Sequence, residues 1–319
     1  MKGGAGHGVP GVLEVLRGLR APRLEPWAQW YEAGAPERPG ALRCVFLGVS
    51  TLLFHDGETA VLTDGFFSRP GLLRMQFGRL RPDRRRIEDG LRRAGTDALD
   101  AVFVVHSHYD HALDSPAVAA ATGARLIGSA STRNIALGQG FPDERFQQVV
   151  VGEPFTIGRF TLTALPARHS PGDIAPGEIG RPLRLPVRAT DYRTGACYSL
   201  HVRHDGRELL VHASAHSVPG ALDGYAAETV YLGVGALGKQ DEAFREAYWD
   251  RLVTATGARR VVPVHWDDFF RPLDRPLRPF RAFLDDFPAT MDFLTRTAAR
   301  TGVSLALPVP GRRSDPWAS

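Results

Sequence analysis

The sequence predicts an α/β (α+β) fold in which two β-sheets pack face to face with helices outside. Two observations carry this. The first is a pair of hairpins built alike: residues 51–54 and 60–64 flank Asp56-Gly57, and residues 199–203 and 208–212 flank Asp205-Gly206. Asp-Gly between apolar runs is the strongest short hairpin signal, because both residues tolerate the positive φ of a tight turn. The second is that helical stretches follow each β block, so each block supplies a sheet and its cover.

A chain of 319 residues can bury a large core as one domain or two. With 43% hydrophobic and 23% charged residues it has the composition of an ordinary globular protein. The net charge is +4 and lysine occurs only at Lys2 and Lys239, so almost all the base is arginine. That excess suits an anionic substrate or a membrane headgroup and is too small to predict nucleic-acid binding. The two cysteines, Cys44 and Cys197, sit in apolar strand-like runs and read as buried free thiols, which fits a reducing compartment. No run of about 18 apolar residues appears. The N-terminal stretch lacks a signal-peptide core, and a cytoplasmic location is expected. Peripheral membrane contact and homo-oligomerisation stay open.

Residues 1–40 are expected to form an arm, rich in Gly and Pro, with a weakly helical patch at 12–20 and Trp27, Trp30 and Tyr31 as anchors. The main domain is expected over 41–310, followed by a polar tail at 311–319. Residues 69–93 carry nine arginines among Leu72, Leu73, Met75, Phe77 and Leu80. They read either as a solvated helix face or as a flap that recruits an anionic or amphiphilic substrate, with Arg69 a substrate-binding candidate. Helices are expected at 112–122, 130–137, 241–256 and 287–300, with Ser129 capping the second. Strands are expected near 124–128, 146–151, 159–165, 229–234, 260–264 and 303–308. The segment 170–195, rich in Pro, Gly and Arg, is long for a plain connection and reads as a functional loop.

The chemistry concentrates in His106-Ser107-His108-Tyr109-Asp110-His111, directly after the apolar strand 101–105. Imidazole nitrogen and carboxylate oxygen suit zinc and similar divalent ions. Ligands at i and i+2 of an extended segment share a face, so His106 and His108 can grip one ion. Asp110 and His111 follow the turn and can serve a second.

His-x-His-x-Asp-His after an apolar strand resembles the metallo-β-lactamase fold of metal-dependent hydrolases, whose architecture is an αββα sandwich of two mixed sheets. The form Pro263-Val264-His265-Trp266 resembles the branch containing L-ascorbate-6-phosphate lactonase and N-acyl-phosphatidylethanolamine phospholipase D-like hydrolases. The resemblance implies that His106, His108 and His169 hold a first metal and that Asp110, His111 and His265 hold a second. It also implies that Asp64, closing the first hairpin, supports the ligand histidines, and that Asp110 serves in acid–base chemistry. Zn2+, one or two per chain, is the implied cofactor, with Mn2+ or Fe as substitutes. The pattern departs at residues 211–217, where relatives place a bridging aspartate and this chain has Ser214 or Ala215, with His216 nearby. A single-metal enzyme, a two-metal site using His216, and an impaired site are the three readings that follow, in that order. Lys239, in a Gly-rich turn, is a second candidate for an anionic group, while Asp267 and Asp268 read first as solvated loop acids and otherwise as acceptors behind the metal ligands. The implied function is hydrolysis of a small, anionic ester, lactone or phosphodiester by a metal-bound hydroxide. The rivals are a metal-binding or ligand-binding pseudoenzyme of the same fold and a nuclease.

Overall fold

The computed structural model describes residues 20–36, 38 and 40–318. The helical patch expected at 12–20 lies almost wholly outside these residues. Strands β1 (Arg43–Phe46), β2 (Leu52–His55) and β3 (Ala60–Thr63) form an antiparallel meander. Strands β4 (Ala101–Phe103), β5 (Arg125–Gly128) and β6 (Phe146–Gln148) add to it in parallel. The second sheet starts with the antiparallel strands β7 (Pro154–Ile157), β8 (Phe160–Ala167), β9 (Cys197–His204) and β10 (Arg207–His212). It continues in parallel through β11 (Thr229–Gly233), β12 (Arg260–Val264) and β13 (Ser304–Leu305). Both sheets are therefore mixed, as the sequence predicts.

The second Asp-Gly turn has the expected geometry, whereas the first, with only Gly57 at positive φ, is a longer loop. Asp205 and Gly206 both take positive φ, 50° and 76°, matching the twist of the strands they join. At the first hairpin the Asp56 carboxylate accepts from the backbone N–H groups of Glu58 and Thr59. The sheets meet through aromatic pairs: Phe54 on β2 stands edge-on to Tyr231 on β11 at 5.4 Å, and Phe103 on β4 lies 6.3 Å from Tyr198 on β9.

Helices cover the outer faces. Helix α1 (Leu72–Phe77) buries no residue, whereas α2 (Arg84–Ala94) buries Ile87 and Leu91 against the first sheet. The helix expected at 112–122 is two, α3 (Tyr109–Ala112) and α4 (Ser115–Thr122), separated by Leu113 and Asp114. Asp114 is occupied elsewhere, accepting from the N–H groups of Phe67 and Ser68. Ser129 caps α5 (Ala130–Gly138) as expected, its hydroxyl accepting from Thr132 N–H. Helix α6 (Glu242–Trp249) gives way to a π turn at Asp250–Thr254, and α7 (Phe287–Thr301) packs Met291 and Leu294 into the core.

The described residues at either end are docked on the main body. Trp27 stands edge-on to Phe287 at 5.0 Å, and the buried Glu32 pairs with Arg260 at 2.8 Å. Arg313–Ser314 forms β14 beside β1, so the segment read as a polar tail completes the edge of the first sheet. Among the described residues no helix is long and apolar enough to cross a membrane.

Candidate metal centre

The topology brings one end of many strands together. Strands β3 and β4 are parallel, so Asp64 and His106 leave the same edge of the first sheet. In the second sheet β8, β10, β11 and β12 share one direction, which puts His169, Ser214, Gly235 and His265 at one edge. The edges face each other, and six ligand-type residues meet there. His106, His108 and His169 form one group; Asp110, His111 and His265 form another. Within each group the ligand atoms lie within 4.8 Å of one another.

The ring nitrogens are sorted into inner and outer ones. His108 Nδ1 and His169 Nε2 face each other at 3.1 Å. The outer nitrogen of His108, Nε2, lies 3.0 Å from Thr194 Oγ1 and 3.3 Å from Asp173 Oδ1, and His169 Nδ1 lies 2.9 Å from Ser170 O. Thr194 donates its hydroxyl to the other Asp173 oxygen. Asp173 was not a candidate from the sequence, although it lies in the 170–195 loop that reads as functional.

In the second group Asp110 Oδ2 lies 3.3 Å from His265 Nε2 and 3.5 Å from His111 Nε2. Asp64 stands behind His111: its Oδ2 is 2.9 Å from His111 Nδ1 and accepts from Ser50 Oγ at 2.6 Å, while Oδ1 accepts from Val105 N–H. The rings of His106 and His111 are 3.8 Å apart, so the two groups are neighbours.

The donor set fits a metal. His106 Nε2 and His111 Nε2 are buried without a hydrogen-bond partner. An orphaned buried polar atom costs about 1–3 kcal/mol, so one in each group asks for a ligand. Burial, then the neighbouring imidazoles, holds His106 well below its ordinary pKa, and burial and His108 push His169 down to about 4. Both are thus held neutral, the state that ligates. Burial raises the Asp110 carboxyl, but His111, His265 and His108 outweigh it and hold the group ionised. Burial likewise lowers His111, and Asp110 and Asp64 outweigh it upward.

Five side chains depart from the sequence reading. Arg69 is fully buried and bound to Asp267, to Asp268 O and to Arg271 O, so it does not face a substrate. Asp267 and Asp268 are likewise buried rather than solvated, because Asp267 also accepts from Val49 N–H at 2.7 Å. Lys239 donates to Phe283 O at 2.7 Å and lies outside the residues lining the cavity. His216 accepts from Ser217 N–H at Nδ1 and packs its ring on Phe244 at 5.3 Å, and it joins neither ligand group. Ser214 is buried and lines the cavity where a bridging acid would stand.

The cavity above the two groups has a volume of about 650 Å³. Its walls include Tyr109, Phe269, Phe270 and Phe280, and Arg188 is the one Arg or Lys among its lining residues.

Comparison with known proteins decides the family. The sequence profile of the beta-lactamase superfamily domain matches residues 59–266, which hold all six ligand-type residues. The chain belongs to the beta-lactamase superfamily. A curated member, a UPF0173 metal-dependent hydrolase from Myxococcus xanthus (strain DK1622), is 29% identical over 111 residues, 32% of this chain and 39% of that protein. This chain thus spans about two fifths of that relative's length. Among solved structures, the metallo hydrolase Igni18 from the archaeon Ignicoccus hospitalis KIN4/I superposes with a TM-score of 0.56 at 16% identity, over 85% of this chain and 97% of that one. CmlA, a diiron β-hydroxylase from Streptomyces venezuelae, superposes with a TM-score of 0.51 at 17% identity, over 87% of this chain and 54% of that one. At these identities the superpositions show the superfamily fold.

Proposed function

We propose that this superfamily member is a metal-dependent hydrolase of a small ester, lactone or phosphodiester, with His106, His108 and His169 holding one ion and Asp110, His111 and His265 a second. The observation that carries this is the convergence of two complete ligand groups, each with one unpartnered buried nitrogen, beneath one cavity that His108, Asp110, His169 and His265 line. Zinc fits this N/O donor set; manganese or iron fits it as well. When bound, the metal supplies a water of lowered pKa and a Lewis acid for the carbonyl or phosphoryl oxygen.

The chain's own groups do the rest. Asp110, kept ionised at the floor, accepts a proton at its carboxylate and returns it to the leaving group. Asp64, Asp173 and Thr194 fix the ring orientation of His111 and His108. The aromatic walls keep bulk water from the floor, and Arg188 at the mouth attracts an anionic portion of the substrate. With Ser214 in place of a bridging acid, the second ion is the more weakly held.

The test is elemental analysis of protein purified without added metal, joined to turnover of bis(p-nitrophenyl) phosphate and of a lactone. Bound metal with turnover, both lost in His108→Ala, is the expected result. A metal-free protein without turnover after metal addition would make the chain a pseudoenzyme.

A further inference from the structure

Large apolar side chains are exposed at nine described positions, and six of them belong to three segments that line the cavity: Leu72, Leu73 and Phe77 on α1, Ile174 in the loop after His169, and Phe283 with Leu284. Phe77 is 82% exposed, Ile174 79% and Leu73 76%. Single exposed apolar residues are ordinary, but here Leu72, Ile174 and Leu284 line the cavity themselves, and Leu73, Phe77 and Phe283 adjoin lining residues in the chain. Helix α1 sharpens the point. It is one and a half turns long, carries four apolar residues and buries none, and lacks a side-chain cap at its start. Met75 packs against the core, but the fold gains little from the exposed Leu72, Leu73 and Phe77, so their value lies in what comes to the opening.

Deeper in, the apolar surface continues. Met75, Leu72, Ile174 and Leu284 line the upper cavity, and Phe269, Phe270 and Phe280 pack on one another with ring centroids 4.8–5.8 Å apart. Phe269 in turn lies 5.8 Å from the His265 ring. Apolar side chains therefore line the cavity from beside the His265 ring to the exposed Leu72, Ile174 and Leu284, with Gln76 and Arg188 among them.

We propose that the substrate is an amphiphile: a hydrolysable head at the floor carrying an alkyl or aryl group that lies along this lining and emerges between α1 and Ile174. This rests on the floor being a substrate-facing metal site. An apolar chain of several carbons removes both the lining and the rim from water, which a small polar substrate would leave wet.

The test is binding of n-alkylphosphonates, ethyl through octyl, to the zinc-loaded full chain by titration calorimetry. A buried methylene is worth roughly a threefold to fourfold gain in affinity. Affinity is thus expected to rise at least tenfold from ethyl to octyl, and Leu72→Ser/Ile174→Ser/Leu284→Ser should flatten the series. A flat series in the parent chain, or no binding of any member, overturns the proposal. Concentration-dependent dimerisation that abolishes the length dependence also overturns it, since the rim would then be covered by a second copy. Turnover of an ester, measured in parallel, decides hydrolysis separately, because alkyl-length dependence of binding stands or falls without it.

Discussion

The Asp267 carboxylate and the Arg69 guanidinium form an ion pair in which neither side chain has exposed surface, although the two are far apart in sequence. The other Asp267 oxygen accepts from Val49 N–H, and Val49 O accepts from His265 N–H at 2.6 Å. Val49, Arg69 and His265 all adopt positive φ, which is unusual for residues with a Cβ and exceptional for a β-branched one. A side chain at Gly48 would collide with Arg69. The pair thus holds a strained loop that presents His265 to the floor.

Removing one partner leaves the other charge buried and alone. Asp267→Ala is expected to cost about 3–5 kcal/mol of stability, measured by urea unfolding. Replacing both, as Arg69→Met/Asp267→Leu, should recover most of that loss while His265 stays misplaced. The double variant is therefore expected to be folded and to bind less than the parent's full complement of metal. A folded double variant with unchanged metal content would deny the pair its positioning role.

Asp173 touches the outer nitrogen of His108 and stands 4.0 Å from that of His169. Outer partners of metal-bound histidines usually govern affinity by about 10–100-fold. Asp173→Ala should weaken the first ion by that factor in competition with a chromophoric chelator, with Asp173→Asn losing less. Equal affinities in parent and variant would reduce Asp173 to a loop residue.

Acid sensitivity should appear even without metal. Burial pushes the His212 imidazole down to about 4 from an ordinary 6.5. Its Nε2 lies 2.7 Å from His216 O and its Nδ1 2.6 Å from Ser199 Oγ, partners that suit the neutral ring. The folded pKa is the lower one, so the unfolded chain takes up the proton first. The contribution is whole above pH 6.5 and is lost as pH falls toward 4, amounting to about 3 kcal/mol. Unfolding of metal-free protein between pH 7 and 4 should lose stability more steeply in the parent than in His212→Gln. Parallel curves would locate the acid sensitivity elsewhere.

The hairpins were legible in the sequence because Asp-Gly reports its turn locally, and β4 and β12 because continuous β-branched runs mark buried strands. Of the candidate ligand histidines, His106, His169 and His265 were legible because each follows a strand at the edge where strands end. Burial of charged side chains was not. Arg69 opens a run of arginines and reads as solvent-facing, and only the return of residues 267–271 across the sandwich supplies its partners. Asp173 lies in a loop with no periodicity, so nothing local aims it at His108. The strand β14 is two residues long, too short for any pattern to show. Helix α1 read as a flap or a solvated face, and its apolar exposure depends on where the fold leaves it.

The ligands are divided between the two halves of the sandwich. His106 and His108 leave the first sheet, whereas His169 follows β8 and His265 follows β12 in the second. The first group is complete as soon as a growing chain reaches residue 169, but Asp110 and His111 have no third partner until residue 265 has been made. An ion captured by the early group would staple the first sheet to the opening strands of the second while most of the second is still unsynthesised. With the proposed ligands, metal supply during translation would then bear on how the halves find each other, and starvation for metal would show first as a loss of correctly paired protein.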